Sequence, residues 1–326
     1  MPRPLVSVVI PFLNPPVDFL REAIASVAAQ DYRPVELILV NDGSCGPVVT
    51  FATGILSSTD IDSRCIEHDG GENRGSSASR NLGVSVASGE YVAFLDADDT
   101  WAPNKLSEQT ACLRHKPEIG MVFGQTRYWY SWVQNAASGD FIVSRGVERA
   151  VTFEPPDFVA QFLRGGVIVP SASNTMMRRA AYLSCGGFEE SFRDMYEDQA
   201  FLVKLGLRYA IAGVPICWDS YRQHAQSMTA SANRLGTEQQ ARCRFLDWVK
   251  GYCRQEGVRA PQVWEAVNKE WWLAKPGSGA FPTRRERFAG TMKRWGLRVE
   301  EWMLPAGIRH RLWGQQGLLS DQSHSE

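Results

Sequence analysis

The chain has 326 residues, 44% of them hydrophobic and 22% charged, with a formal net charge of -1. That length suits one large domain, or one domain with a substantial extension. The near-zero balance gives no overall bias towards nucleic acid, which basic faces recognise. The seven cysteines are odd in number, scattered, and never grouped with a second pair or with histidines, so reduced thiols are expected and a structural zinc site is not. The apolar stretch near the amino terminus is short and closes at Pro11, unlike a signal peptide. No segment reaches the roughly 20 apolar residues that a spanning helix needs. The expected location is cytoplasmic, soluble or peripheral at the inner face of a membrane.

The first hundred residues alternate β-branched runs with segments of helical spacing, the pattern of a largely parallel α/β sheet with crossover helices. Residues 6–10 form a buried strand. Phe19, Leu20, Ala23, Ile24, Val27 and Ala28 then recur at helical spacing. A strand over 36–40, a helix between Pro47 and Leu56, a weaker strand near 64–68, a helix over 76–86 and a strand over 91–95 follow. From about Met121 the pattern changes to isolated strands with aromatic loops, over 121–129, 141–143, 173–177 and 209–214. Beyond about Gly236 the chain turns helical and rich in tryptophan, with a break at Lys275-Pro276-Gly277. The expected organisation is a catalytic domain over 1–235 and a helical extension over 236–326.

In open α/β sheets, ligands sit beyond the carboxyl ends of the strands, where loops can gather polar groups. Asn14 follows the first strand, Asn41-Asp42-Gly43-Ser44 the second, and Asp96-Ala97-Asp98-Asp99 the fourth. Asp96, Asp98 and Asp99 project from a rigid sheet edge, and alternate carboxylates at that spacing can share one hard divalent cation. The same tetrapeptide also suits a solvated turn capping a helix near Trp101-Ala102-Pro103. Asp42 can accept a hydrogen bond from a base or ribose, or can simply be an Asx turn residue. Asn73-Arg74-Gly75 followed by Ala78-Ser79-Arg80-Asn81 puts small residues at a helix start, with Arg80 a turn or two further in. Backbone amides and a guanidinium so arranged can approach a diphosphate. Glu197 and Asp198 fall in the first turn of a later helix, where acidic residues cap, and where one facing a cleft can act as a general base. His224 is the only histidine in a dense polar-aromatic stretch, Tyr221-Arg222-Gln223-His224, and admits a structural or a ligand role.

Taken in order, Val8-Val9-Ile10-Pro11-Phe12-Leu13-Asn14, Val40-Asn41-Asp42-Gly43-Ser44, Asn73-Arg74-Gly75, Ala78-Ser79-Arg80-Asn81, Leu95-Asp96-Ala97-Asp98-Asp99, Gly186-Gly187-Phe188 and Glu197-Asp198 resemble family 2 glycosyltransferases of the GT-A fold. The resemblance covers about residues 5–230. It implies inverting transfer of a sugar from a nucleotide-diphosphate sugar, most often a UDP-sugar, to a saccharide or lipid-linked hydroxyl acceptor in surface polysaccharide or glycolipid synthesis, with Mn²⁺ or Mg²⁺ as cofactor. By the same resemblance Pro11 and Asp42 line the nucleoside pocket, Asn14 belongs with the donor-binding residues, Arg80 lies near the diphosphate, and Asp96 contacts ribose or metal. Asp98 binds the metal, Asp198 is the catalytic base, Glu197 shapes the acceptor side, and His224 contacts metal or phosphate. Two departures bear on substrate contacts. Phe12-Leu13-Asn14-Pro15-Pro16 replaces the commoner ending of the first motif, and Gln199 stands where relatives carry an aromatic residue.

Competing classes fit less well. A sugar nucleotidyltransferase would need a Gly-rich basic loop after the first strand, and a dinucleotide oxidoreductase would need Gly-x-Gly-x-x-Gly there; neither is present. A non-catalytic nucleotide-sugar-binding protein would not need the retained Asp96, Asp98 and Asp198. Between Arg284 and Trp313, basic residues interleave with tryptophan and leucine, which suits an anionic membrane surface or a helical extension packed on the domain or on a second subunit of a homo-oligomer.

Overall fold

The computed structural model describes residues 2–56, 59–134, 136, 138–193, 195–225, 227 and 238–275. The basic, aromatic run between Arg284 and Trp313 and most of the expected extension lie outside the described residues. The described residues up to Lys275 belong to one compact unit.

Its centre is a 10-stranded sheet in the order β3-β2-β1-β4-β9-β6-β10-β5, with β7 on β6 and β8 on β10. The strands are β1 Val6–Phe12, β2 Val35–Asn41, β3 Asp62–Glu67, β4 Tyr91–Phe94, β5 Thr100–Trp101, β6 Ile119–Trp129, β7 Phe141–Val143, β8 Val151–Phe153, β9 Met176–Arg178 and β10 Ala210–Arg222. β3, β2, β1 and β4 run parallel, as do β6 and β10, while β9 and β5 pair antiparallel with their neighbours. β1 and β2 are buried at every position, because helices cover both faces; hence their continuous apolar runs. The one polar side chain inside β1, Ser7, donates to Glu36 of β2 at 2.5 Å, and that carboxylate also accepts from Ser88 N at 2.6 Å and Gly89 N at 3.1 Å. These bonds outweigh the desolvation that would raise the Glu36 pKa, so it is held below the ordinary carboxylate value.

The helices are α1 Val17–Ala28, α2 Pro47–Leu56, α3 Ser76–Val86, α4 Lys105–His115, α5 Asp157–Leu163, α6 Arg179–Ser184, α7 Glu197–Gly206, α8 Glu238–Gln255 and α9 Pro261–Ala274. α1 presents Leu20, Ala23, Ile24 and Val27 at helical spacing to one face of the sheet. α3 lies on the other face so closely that a Cβ at Gly83 would stand 2.4 Å from Val9, which is why this turn of the helix has no side chain. α8 and α9 pack through Phe245, Leu246, Val249, Val263 and Val267 onto the core that also holds α5 and α7. No helix among the described residues is long and apolar enough to cross a membrane.

Two elements differ from the sequence expectation. The strand expected to end at Val214 runs on to Arg222, because register shifts around Cys217 bulge it past Pro215, whose missing N–H would otherwise break a ladder bond. The strand expected over 173–177 opens instead as a 3₁₀ turn over Ala172–Asn174 before β9. There Asn174 turns its side chain into the sheet, accepting from Gly124 N at 2.5 Å and donating to Gln125 O at 2.9 Å.

Candidate active site

The carboxyl ends of β1, β2 and β4 deliver Pro11, Asn14, Asp42 and the Asp96–Asp99 turn to one side of the sheet. Pro11 is buried in β1 opposite Val40, beyond the last β1–β4 pair, Val9 with Phe94, so its missing N–H breaks no bond on that side. Asn14 adopts φ 44° and links two loops: its N–H donates to Ser44 Oγ at 2.8 Å, and its Oδ1 accepts from Cys45 N at 3.2 Å. Asp42 is buried and accepts from Arg74 N at 2.8 Å and Gly75 N at 3.1 Å, with Gly75 at φ 92° presenting its amide as the N-cap of α3. His68 stands 3.6 Å from Asp42 and 2.9 Å from Ser79 Oγ, a buried neighbour that nothing in its sequence surroundings singles out.

Arg80, carried on α3, is 3% exposed and forms the hub of an acidic cluster. Its guanidinium lies 2.6 Å from Asp96 and 3.5 Å from Glu197, above the Phe188 ring. Burial works against its charge, but Asp96, Glu197 and Asp198 outweigh that and raise its pKa further. Its Nε and one terminal nitrogen still have no hydrogen-bond partner although buried. The neighbouring Asn81 ties α3 to the segment leading to α7: it accepts from Phe188 N at 2.9 Å and donates to Phe188 O at 3.0 Å. This bond explains why Asn81 and Gly186-Gly187-Phe188 occur together, since a Cβ at Gly187 would stand 2.5 Å from Asn81 Oδ1.

The three aspartates after β4 do not act as a group. Asp99 is fully buried and turned inward, accepting from Ser173 Oγ at 2.7 Å and Arg222 N at 3.0 Å. Burial, with Asp98 and Asp96 beside it, pushes its carboxyl well above the usual range. It therefore braces the turn and does not join Asp96 and Asp98 around one cation. The turn does not cap a helix either: Thr100–Trp101 is the strand β5, paired with the end of β10, and α4 begins only at Lys105.

Asp98 meets His224 instead, with Oδ2 and Nε2 2.9 Å apart. β10 carries His224 there through Arg222, whose Nε donates to Asp98 O at 2.7 Å and whose guanidinium pairs with Glu22. That guanidinium lies 4.2, 4.4 and 5.2 Å from the ring centres of Phe19, Trp129 and Trp132, a largely desolvated cation–π cage. Among the described residues no group of three or more His, Cys, Asp or Glu side chains is arranged to hold a metal. An oxygen from Asp98 and a nitrogen from His224 nonetheless fit an ion that completes its shell with phosphate and water.

Below this turn a buried polar network supports β5 and β10. Lys105 Nζ donates to Gln109 Oε1 at 2.6 Å and Thr175 O at 3.2 Å, and desolvation lowers its pKa to about 7. Asp219, bonded to Asn174 and Ser171, is pushed up to about 6, again chiefly by burial. Neither residue stands out in the sequence, because their partners come from strands and turns distant along the chain.

On the far side of the cluster a cavity of about 1030 Å³ opens, with Asp198 and Glu197 in its wall beside Tyr196, Tyr221 and His224. Desolvation, then repulsion from Glu197, raises the Asp198 carboxyl to about 7, although Gln199 N donates to it at 2.6 Å. Its opposite walls come from the residues around Ile142 and Val167 and from α8 and α9.

A parallel sheet with loop-borne acidic groups at its carboxyl edge, continued by a mixed half that walls a deep cavity, is the GT-A fold of glycosyltransferases. The match to the family model described as glycosyl transferase family 2 spans residues 7–184, and the chain belongs to that family. It is 37% identical over 109 residues to an uncharacterised glycosyltransferase of Haemophilus influenzae, covering 33% of this chain and 42% of that protein. It is 28% identical over 190 residues to the O-antigen biosynthesis protein RfbC of Myxococcus xanthus, covering 58% of this chain and 14% of that one. The chain thus matches less than half the length of either relative. Among solved structures, S. aureus TarS 1–349 in complex with UDP-GlcNAc aligns at TM-score 0.55 and 19% identity over 82% of this chain and 79% of its own. Mannosyltransferase PcManGT of Pyrobaculum calidifontis, in complex with GDP-Man and Mn²⁺, aligns at TM-score 0.57 and 18% identity over 96% and 88%.

Proposed function

We propose that the protein transfers a sugar from a nucleotide-diphosphate sugar to an acceptor hydroxyl in a single in-line displacement that inverts the anomeric carbon. The observation that carries this reading is Asp198: a carboxylate in the wall of a large cavity, raised to about 7, beside the cluster of Arg80, Asp96 and Glu197. A base of that pKa is largely deprotonated just above neutrality and still a competent proton acceptor.

Asp198 takes the proton from the acceptor hydroxyl as its oxygen bonds to the anomeric carbon and the bond from that carbon to the nucleoside diphosphate breaks. Asp42, Asn14 and Pro11 hold the nucleoside at the ends of β1 and β2, and Asp96 orients the ribose side of the donor. Arg80, with donors to spare, offsets negative charge near the diphosphate and holds Asp96 and Glu197 in one cluster. Glu197 shapes the acceptor side. Mn²⁺ or Mg²⁺ held by Asp98 and His224 would supply Lewis-acid stabilisation of the leaving diphosphate.

A UDP-sugar is the donor we favour, and the relative named for O-antigen biosynthesis supports a saccharide or lipid-linked acceptor in surface polysaccharide synthesis. The reaction would take place in the cytoplasm or at the inner face of the membrane, on a catalytic domain over 1–235 extended by 236–326. A thermal-shift screen of UDP-, GDP- and dTDP-sugars with Mn²⁺, followed by transfer assays on the binders, tests the reading. Stabilisation by one nucleotide-sugar class is the expected result, and no stabilisation by any would overturn it.

A further inference from the structure

Asp198 is carried on the first turn of α7, and the residue that starts this helix is unusual. Tyr196, its N-cap, has φ 72° and ψ 7°, the left-handed conformation, and no side chain caps the helix there. An aromatic L-residue in that region costs about 1–2 kcal/mol and persists only where its surroundings impose it. The Tyr196 carbonyl nonetheless accepts the first helical bond, from Ala200 N at 2.8 Å, so the angle at Tyr196 sets the direction in which α7 leaves.

What imposes the angle comes from outside the family-matched segment. The Tyr196 ring is buried and stacks on Phe245 of α8, with centroids 4.9 Å apart and planes 13° from parallel. Phe245 is itself 2% exposed, and Phe162 and Phe192 brace it edge-on at 6.4 and 6.3 Å. One turn earlier on α8, Arg242 pairs with Glu270 of α9 and favours the ionised Tyr196 hydroxyl, although burial dominates and raises that pKa. Arg242, Phe245, Tyr196 and Asp198 all line the same cavity.

We infer that α8 is part of the catalytic apparatus: Phe245 is a positioning residue whose stack on Tyr196 locks the left-handed start of α7 and so aims Asp198 into the cavity. This rests on Asp198 being the base proposed above. A helix beyond the expected catalytic domain then belongs to the working site.

The test uses the full chain and release of nucleoside diphosphate from UDP-, GDP- and dTDP-sugars to water, which takes the place of the acceptor. Phe245→Leu keeps an apolar side chain without the stack, Phe245→Tyr keeps the ring, and binding of UDP with Mn²⁺ is followed by calorimetry. Misplacing a reacting group by about 1 Å costs about 10²-fold. Phe245→Leu should therefore lose about 10- to 100-fold in kcat with donor KM and UDP affinity within about twofold, and Phe245→Tyr should recover most of the loss. An unchanged kcat in Phe245→Leu, or an equal loss in Phe245→Tyr, overturns the inference. If Phe245→Leu does not fold, Tyr196→Gly serves: glycine takes the same angle without strain but does not hold it, so a wild-type kcat there overturns the inference too. A wild-type protein that neither binds any of these donors nor releases nucleoside diphosphate from them overturns the transferase reading itself.

Discussion

The two halves of the sheet are built on opposite rules. In β3-β2-β1-β4 every pair is parallel, the central strands are buried on both faces, and the candidates Asn14, Asp42 and Asp96 sit within a residue or two of a strand end, with Asp98 further along the turn after β4. In β9-β6-β10-β5 the pairs are mixed, β10 is bulged, and Ser171 meets Asp219, Ser173 meets Asp99 and His224 meets Asp98 across separations of 48, 74 and 126 residues along the chain. On the function proposed above, the first half would hold the donor of constant shape, the nucleoside diphosphate, at its strand ends, and the second, which can vary around a cavity, would take acceptors that differ. Arg80 is one link between the two halves, touching Asp96 after β4 and Glu197 at the start of α7.

Substitutions can sharpen or break this division. Asp198→Asn should reduce transfer by about 10²- to 10⁴-fold while donor affinity stays within about twofold, read by steady-state kinetics beside calorimetry. Near-normal turnover would leave the acceptor half without its base. Arg80→Met removes a buried cation from among Asp96, Glu197 and Asp198, and breaking a buried pair costs about 3–5 kcal/mol. Urea unfolding should register most of that loss, and an unchanged midpoint would mean the halves are coupled elsewhere.

The acid arm of the pH profile comes next. With Asp198 at about 7, transfer should rise with pH, standing about tenfold below its plateau at pH 6. Stability moves the other way: a carboxyl near 3.9 in the unfolded chain binds its proton more tightly when folded, so its contribution falls as pH rises from about 4 to about 7. A flat rate from pH 5.5 to 8 would remove Asp198 as the titrating base. Asp98→Ala should weaken UDP binding at least about tenfold with Mn²⁺ and leave metal-free binding alone, by calorimetry. At the small end, Glu265→Ala breaks the exposed pair with Arg164, 3.5 Å apart at the surface, and should move unfolding by no more than about 1 kcal/mol.

Much of the first half is legible from residues 5–99 alone. Buried parallel strands are continuous apolar runs, and the polar turns that follow them are where a sheet can expose ligands, so Asp42, Asp96 and Asp98 are readable as candidates. The Glu197–Asp198 helix start is equally visible from its apolar spacing. The reading failed where one residue type serves two ends. Asp99 follows the same strand as Asp96 and Asp98 in the sequence, but the Ser173 hydroxyl and the Arg222 amide turn it inward. Pro215 looks like a strand end, and a bulge carries β10 past it to Arg222.

Local sequence settles most strands and helices of the first half, and which polar residues fall at their ends, because backbone sterics and hydrophobic period act over a few neighbouring residues. It has no means to state that Arg222 sits among Phe19, Trp129 and Trp132, or that Phe245 stacks on Tyr196. Those contacts exist only after strands far apart in sequence have paired and helices have packed, since burial and electrostatics depend on distance in space. Which carboxylate turns inward, which meets a histidine and which is raised by burial follows from that packing.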